Sequence, residues 1–318
     1  MIQATVIADS ISQHTNQRIT TFELIYPRFI HSELMTHRQF SRNAASSRAI
    51  PINKMIDLVK EQPAIPIHWG KNQSGMQAKE ELDYDKTTEA IDTWLLACGN
   101  AIISANMLNE LGLHKQVVNR LLEPFQCIKV LVTATSFDNF FNLRLHSDAQ
   151  PEIQELAKLM YQAMQDSKPM ELSYDEWHLP YIERQRDKLE GELSYFIYEE
   201  VTLNDNSPNQ RFKTFLTLEE AQKISCSCAA QVSYRNNDTS IQKAEAIYDK
   251  LVNSNPIHAS PFEHCATPID PDNYKAKGIT HMYKDGTLAS GNFINWIQYR
   301  QLIPNHDCKE YMCNIQEV

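Results

Sequence analysis

The chain has 318 residues, 42% of them hydrophobic, with a formal net charge of -10 and a pI near 5.6. It is long enough for one large core or two modest ones, and its acidity argues against a duplex nucleic-acid partner, which calls for a basic face. Only 8 glycines occur, with no GxGxxG or GxxxxGK(S/T) string, which argues against a Rossmann dinucleotide turn and a P-loop.

In chain order, Gln3 to Ala8 alternates as a strand does, and Ile19 to Ile25 is a stronger strand. Pro27 to Phe40 reads as a helix, with Pro at its start and Phe29, Ile30, Leu34 and Met35 at helical spacings. Glu61 to Thr87 is polar and irregular. A long helical region runs from about Thr88 to Leu122, interrupted near Gly112. Val130 to Phe141 is apolar with polar residues interspersed, and Ala149 to Met164 is an amphipathic helix. Asp166 to Gln210 turns charged and aromatic, and Leu218 to Ser233 and Thr239 to Asn253 are again helical.

No basic, apolar leader opens the sequence and no apolar run approaches membrane-spanning length. A soluble cytoplasmic protein without a membrane partner is expected. Seven cysteines, an odd number without a CxxC pair, read as buried or reduced thiols. Zinc at His306, Cys308 and Cys313 is the alternative, and no metal is assigned.

The run from His37 to Arg48 concentrates Arg38, Ser41, Asn43, Ser46 and Arg48 among small residues. Guanidinium forks, hydroxyls and nearby backbone amides suit a phosphate, although a self-capping polar helix end has the same composition. On the expected helix, His37 and Ser41 would share a flank. A second constellation sets Asn139 and Arg144 among Phe137, Phe140 and Phe141. An arginine in an apolar segment needs a partner, either Asp138 or Glu152 in a structural role, or an anionic ligand.

Together these segments resemble the flavin-dependent thymidylate synthase (ThyX) family. Its Arg-His-Arg-x-x-Ser-x-Asn-Glu-x-Ser-x-Arg signature stands as Thr36 to Arg48. Its later Asn-x-x-x-x-Arg segment with Ala-Gln-x-Glu-Ile matches Asn139 to Ile153, and its upstream Arg matches Arg120. Two segments that normally precede the signature stand near the other end, as Ala229 to Ser233 and His258 to His264, so the order looks circularly permuted. Asn292 to Arg300 faintly echoes Thr21 to Arg38.

The resemblance implies an α+β fold, an antiparallel sheet packed with helices, in one domain spanning 1–318. Residues 1–165 would carry the signature and C-terminal part, 166–217 an insertion or connector, and 218–318 the N-terminal part. It implies conversion of dUMP to dTMP with methylenetetrahydrofolate, NADPH and FAD. Ser46, Arg48, Arg120 and Arg144 would hold dUMP. His37, Arg38, Ser41, Asn139, Ser233, His258 and Ser260 would contact FAD. Arg144 and His258 are the candidate catalytic residues, with a hydrogen-bonded core histidine as the other reading of His258. A homotetramer or homodimer is implied.

Thr36 and Ala44 depart from the signature's first Arg and its Glu, and Thr133-Ala134-Thr135 replaces an Asn-Ala-Arg. Arg28, Arg42, Arg235 or Arg300 are the candidate compensating cations. The departures leave two alternatives open: C5 methyl or hydroxymethyl transfer to another pyrimidine deoxynucleotide such as dCMP, or a catalytically silent nucleotide-binding relative.

Overall fold

A computed structural model describes residues 2–75, 77–201, 210–233 and 238–308, and the chain divides into two compact units. The first is built on Arg18–Met170, with the strand residues up to Ile11 and a short segment beginning at Gln231. The second holds Ser12–Gln17, Glu171–Ala230 and the chain from Asp238. Arg235 and Cys313 lie outside the described residues.

The first unit is organised by a hairpin and a distant third strand. Strands β1 (Gln3–Ser12) and β2 (Arg18–Pro27) pair antiparallel, and β2 pairs along its other edge with β4 (Cys127–Ala134). Short β3 (Ser41–Ala44) adds to β4, giving the order β3–β4–β2–β1 within this unit. Alternation sorts the side chains, because cross-strand partners share a face. Phe22 opposes Val132, Leu24 opposes Val130, and Tyr26 opposes Ile128, and all six are buried. On the opposite face the Thr21 and Thr133 hydroxyls bond at 2.7 Å, so Thr133 serves the sheet.

Between β2 and β3 the chain forms a 3-10 turn over Arg28–Ile30 and one turn of helix, α1 (His31–Leu34). Helix α2 (Ile52–Glu61) follows β3, and α3 (Tyr84–Glu110) is capped by Asp83, whose carboxylate accepts the Lys86 amide at 3.0 Å. Gly112, at φ +80°, ends that helix as its missing Cβ permits, and α4 (Lys115–Val118) follows. After β4 come α5 (Asp138–Arg144) and α6 (Pro151–Asp166). Ile153, Leu156, Ala157 and Met160 of α6 join the sheet's apolar face in one core with Phe22, Phe137 and Phe140.

The expected helix over Pro27–Phe40 is therefore corrected, and Ser41 lies on a strand rather than on a helix flank. The helix stops because its last carbonyls find other donors. Arg42 Nη1 reaches the carbonyl of Met35 at 2.8 Å, and Thr36 Oγ1 reaches that of Glu33 at 2.7 Å. Spacing of apolar residues alone cannot register a cap supplied from beyond the pattern.

After strand β5 (Met170–Leu172), the second unit contains an antiparallel meander of β6 (Glu183–Arg186), β7 (Leu193–Val201) and β8 (Gln210–Leu216). It continues with α7 (Leu218–Ala230) and α8 (Ile241–Asn253), then short antiparallel pairings late in the chain. Its core gathers Tyr195, Ile197, Ile224, Cys226 and Phe262. The fold is α+β, as expected. No helix among the described residues is long and apolar enough to cross a membrane.

Phe22 is fully buried and meets Phe137 edge-on at 5.3 Å. Phe22→Ala is expected to lower unfolding free energy by about 3–5 kcal/mol, through lost transfer energy and the cavity left behind. A urea titration of both proteins checks this.

Candidate active site

Two clusters within the first unit contain most of the candidate residues. The first forms where the turn after α1 meets α5. His37 is buried, stacked on Phe40 at 5.7 Å and edge-on to Phe140 at 4.9 Å. Its Nε2 accepts Arg144 Nε–H at 3.0 Å, which places the imidazole proton on Nδ1. Desolvation first, then the Arg144 and Arg42 charges, lower its pKa to about 4. His37 is neutral at physiological pH.

Arg144 is thereby tied into the protein. Its Nη1 pairs with Glu33 Oε2 at 3.1 Å, and its Nη2 reaches Thr36 Oγ1 at 3.4 Å. The carboxylate partner is Glu33, correcting the expected Asp138 or Glu152. Glu152 instead accepts the Ile67 amide at 2.9 Å. Among the described residues three of the five guanidinium N–H groups are engaged, and two remain for a ligand.

A cavity of about 310 Å³ opens beside this cluster, lined by Thr36, His37, Arg38, Gln39, Phe40, Ser136, Asn139, Phe140 and Leu143. That volume is at the lower end for small-molecule sites. Arg38 is exposed and forms no ion pair among the described residues. The fold thus brings His37, Arg38 and Asn139 together from segments a hundred residues apart. Ser41 is buried in the β3–β4 ladder and does not line the cavity. Aromatic walls, a free guanidinium and an amide suit a flat heteroaromatic group carrying negative charge, so the lining fits part of a flavin nucleotide.

The second cluster is the loop after β3, separated from the first by about 13 Å of strand at 3.3 Å per residue. The loop is pinned from several sides. Asn119 Nδ2 donates to the carbonyls of Ser47 at 2.7 Å and Ile50 at 2.9 Å, and Lys115 Nζ donates to that of Ala49 at 2.9 Å. The Ser46 amide donates to Ser233 Oγ at 2.9 Å, so a segment 187 residues later completes the loop. Arg48 is exposed without an ion pair among the described residues. Arg120 pairs with Glu123 at 2.8 Å.

His258 and Ser260 belong to the second unit, where both are exposed; the His258 amide donates to Ser254 Oγ at 3.1 Å. Of the candidate compensating cations, Arg28 pairs with Glu123, Arg42 caps α1, and Arg300 pairs with Glu263. Sequence reading missed Glu33, Asn119 and Glu123. Glu33 stands four residues before His37 and Asn119 beside Arg120, spacings that mean something only once the partners are known.

The profile of one family, described as thymidylate synthase complementing protein, matches residues 6–170, just over half of the chain and all of both clusters except Ser233. The chain belongs to this family. Family membership makes it an enzyme of flavin-dependent pyrimidine methylation in general. Two crystal structures of the UMP/dUMP methylase PolB from Streptomyces cacaoi are similar to it. The complex with 5-Br UMP shares 17% identity over 52% of this chain and 88% of that one, with a TM-score of 0.45. The complex with 5-Br dUMP shares 15% over 52% and 90%, with a TM-score of 0.42. No curated protein matches this chain.

His37 binds its proton more weakly in the folded family member than in the unfolded chain. As pH falls from 6.5 to about 4 the unfolded chain protonates first, so the stability contributed by His37 drops through that window and is constant above it. The charges acting on His37 are those of Arg144 and Arg42. His37→Gln removes this site's contribution, so its stability should fall less steeply than the parent's between pH 6.5 and 4. Urea midpoints at half-unit pH steps read the difference, and parallel curves would show that His37 does not titrate there.

Proposed function

We propose that this protein is a flavin-dependent thymidylate synthase, converting dUMP to dTMP with carbon from methylenetetrahydrofolate and reducing equivalents from NADPH. The observation that carries the reading is one signature serving two clusters. Its first half lines an aromatic cavity with an exposed guanidinium, and its second half forms a pinned loop ending in exposed Arg48.

In this reading Ser46, Arg48 and Arg120 bind the nucleotide's phosphate and sugar. A loop held by Asn119, Lys115 and Ser233 presents Ser46 without further ordering, which lowers the cost of binding. Arg38 and Asn139 bind the cofactor beside the Phe40 and Phe140 walls. Bound flavin supplies the redox chemistry, and the protein supplies binding, orientation and electrostatics. Arg144 stabilises charge developing on the pyrimidine, a preorganised electrostatic role. Neutral His37 and anionic Glu33 hold its guanidinium in one orientation.

The resemblance assigns His258 and Ser260 to FAD on the displaced-order reading of 218–318. Support for that reading is the Ser233 contact with the signature loop. A homo-oligomer working in the cytoplasm completes it. Leu96, Ile103 and Met107 leave an exposed apolar stripe on α3 suited to a second copy, and none of the described cysteines is in a disulfide.

One observation favours dCMP as the substrate instead. Glu33 places a carboxylate beside Arg144 where Thr36 has replaced a cation, and a carboxylate accepts from the exocyclic amine of cytosine.

The deciding experiment follows visible absorption of the purified protein with FAD under anaerobic conditions, then product mass after NADPH, methylenetetrahydrofolate and either dUMP or dCMP. Flavin bands that survive gel filtration and bleach with NADPH are expected, with a product from dUMP heavier by one methylene. A protein that takes up no FAD would establish the silent alternative. Arg48→Ala should weaken dUMP binding about 10–100-fold by calorimetry, the size of one charge-assisted hydrogen bond of about 1.5–3 kcal/mol. Unchanged affinity would remove Arg48 from the phosphate site.

A further inference from the structure

Glu123 stands where two guanidinium groups and a hydroxyl converge. One oxygen, Oε1, receives Ser47 Oγ–H at 2.6 Å and Arg120 Nη1 at 2.8 Å, and Arg28 Nη2 lies 3.2 Å from the same atom. Three donors crowd an oxygen that has two lone pairs. Meanwhile Arg28 Nη1 is buried and bonded to nothing among the described residues. A buried guanidinium donor without an acceptor is rare in a settled structure and signals a missing partner. The carboxylate thus meets its donors through one oxygen and leaves Arg28 Nη1 without an acceptor. A phosphate, with three terminal oxygens and a larger charge, satisfies them better.

We propose that Glu123 is a built-in competitor for a ligand phosphate, filling an anion cradle of Arg28, Ser47 and Arg120 and yielding donors when a phosphate enters. The nucleotide part of this inference rests on the function proposed above, while the cradle stands on its own geometry. Ser47 lies between Ser46 and Arg48, so the cradle is continuous with the loop already assigned to the phosphate. Glu123 then sets affinity from inside the protein. It keeps two arginines ordered and partly neutralised without ligand, and it weakens every phosphate that must displace it. A substrate with more phosphate charge gains most from the exchange.

Full-length protein titrated with inorganic phosphate by calorimetry tests the cradle without any nucleotide. Glu123→Gln keeps the shape and removes the charge, and should bind phosphate at least fivefold tighter. Glu123→Asp withdraws the carboxylate by one methylene and should gain at least twofold. Adding Arg120→Gln to Glu123→Gln should abolish the gain. Equal or weaker affinity in a Glu123→Gln protein that melts like the parent overturns the proposal and leaves Glu123 a structural anchor. If Glu123→Gln does not fold, the sign of the change in Glu123→Asp decides in the same way. A gain that survives Arg120→Gln also overturns it. Parallel titrations with dUMP and FAD identify which phosphate enters. Tightening toward inorganic phosphate alone would uphold the cradle while removing the nucleotide reading.

Discussion

A guanidinium next to an apolar core must find acceptors, and Arg144 finds them in a histidine ring and a carboxylate from a different part of the chain. That requirement shapes the surroundings. His37 must be neutral to accept, so it is set between Phe40 and Phe140, where protonation is costly. For His37 to face α5, the chain must leave helical geometry after Leu34, which it does by giving its last carbonyls to Thr36 and Arg42. The bend this forces opens the cavity lined by Arg38 and Asn139. One ion pair thus ties the early signature to the later aromatic block.

The sheet supplies the rigidity that this arrangement needs. Strand β3 carries the signature from the cavity to the loop, and it is held against β4 by residues 41–44 pairing with 130–133. A strand so fixed gives the two clusters a constant separation. At the loop the forces change. Ala45 and Ile50 are buried at its ends, and between them order comes from Asn119, Lys115 and Ser233 bonding to backbone groups. Backbone groups held in this way leave the side chains of Ser46 and Arg48 for a ligand.

Much of this was legible in the sequence. Strands β1 and β2 follow from alternation, and the long helical region broken near Gly112 appears as α3, the glycine and α4, although α3 begins four residues earlier than expected. Helices α6, α7 and α8 follow from apolar periodicity, with α7 stopping at Ala230 rather than Ser233. Juxtaposing the two motif blocks required the family resemblance. The failures share a physical cause. The helix over Pro27–Phe40 was overturned by a cap from Arg42. The partner of Arg144 lies 111 residues away, and Glu123 acquires meaning only from Arg28 and Ser47, which are remote in sequence. Local pattern reports which face is buried, but not which distant polar group meets it.

The bond from the Ser46 amide to Ser233 Oγ bears on the order in which the protein is made. Every strand of the first unit's sheet and its covering helix α6 have been synthesised by Met170, so that core can assemble while synthesis continues. The loop lacks its last fastening until Ser233 emerges, a delay on the order of 3–13 s at ordinary elongation rates. During that interval a folded scaffold carries an unfinished ligand loop. Maturation of the site is therefore timed by translation of the far part of the chain, and a product arrested before that point would be a structured protein with an incomplete loop.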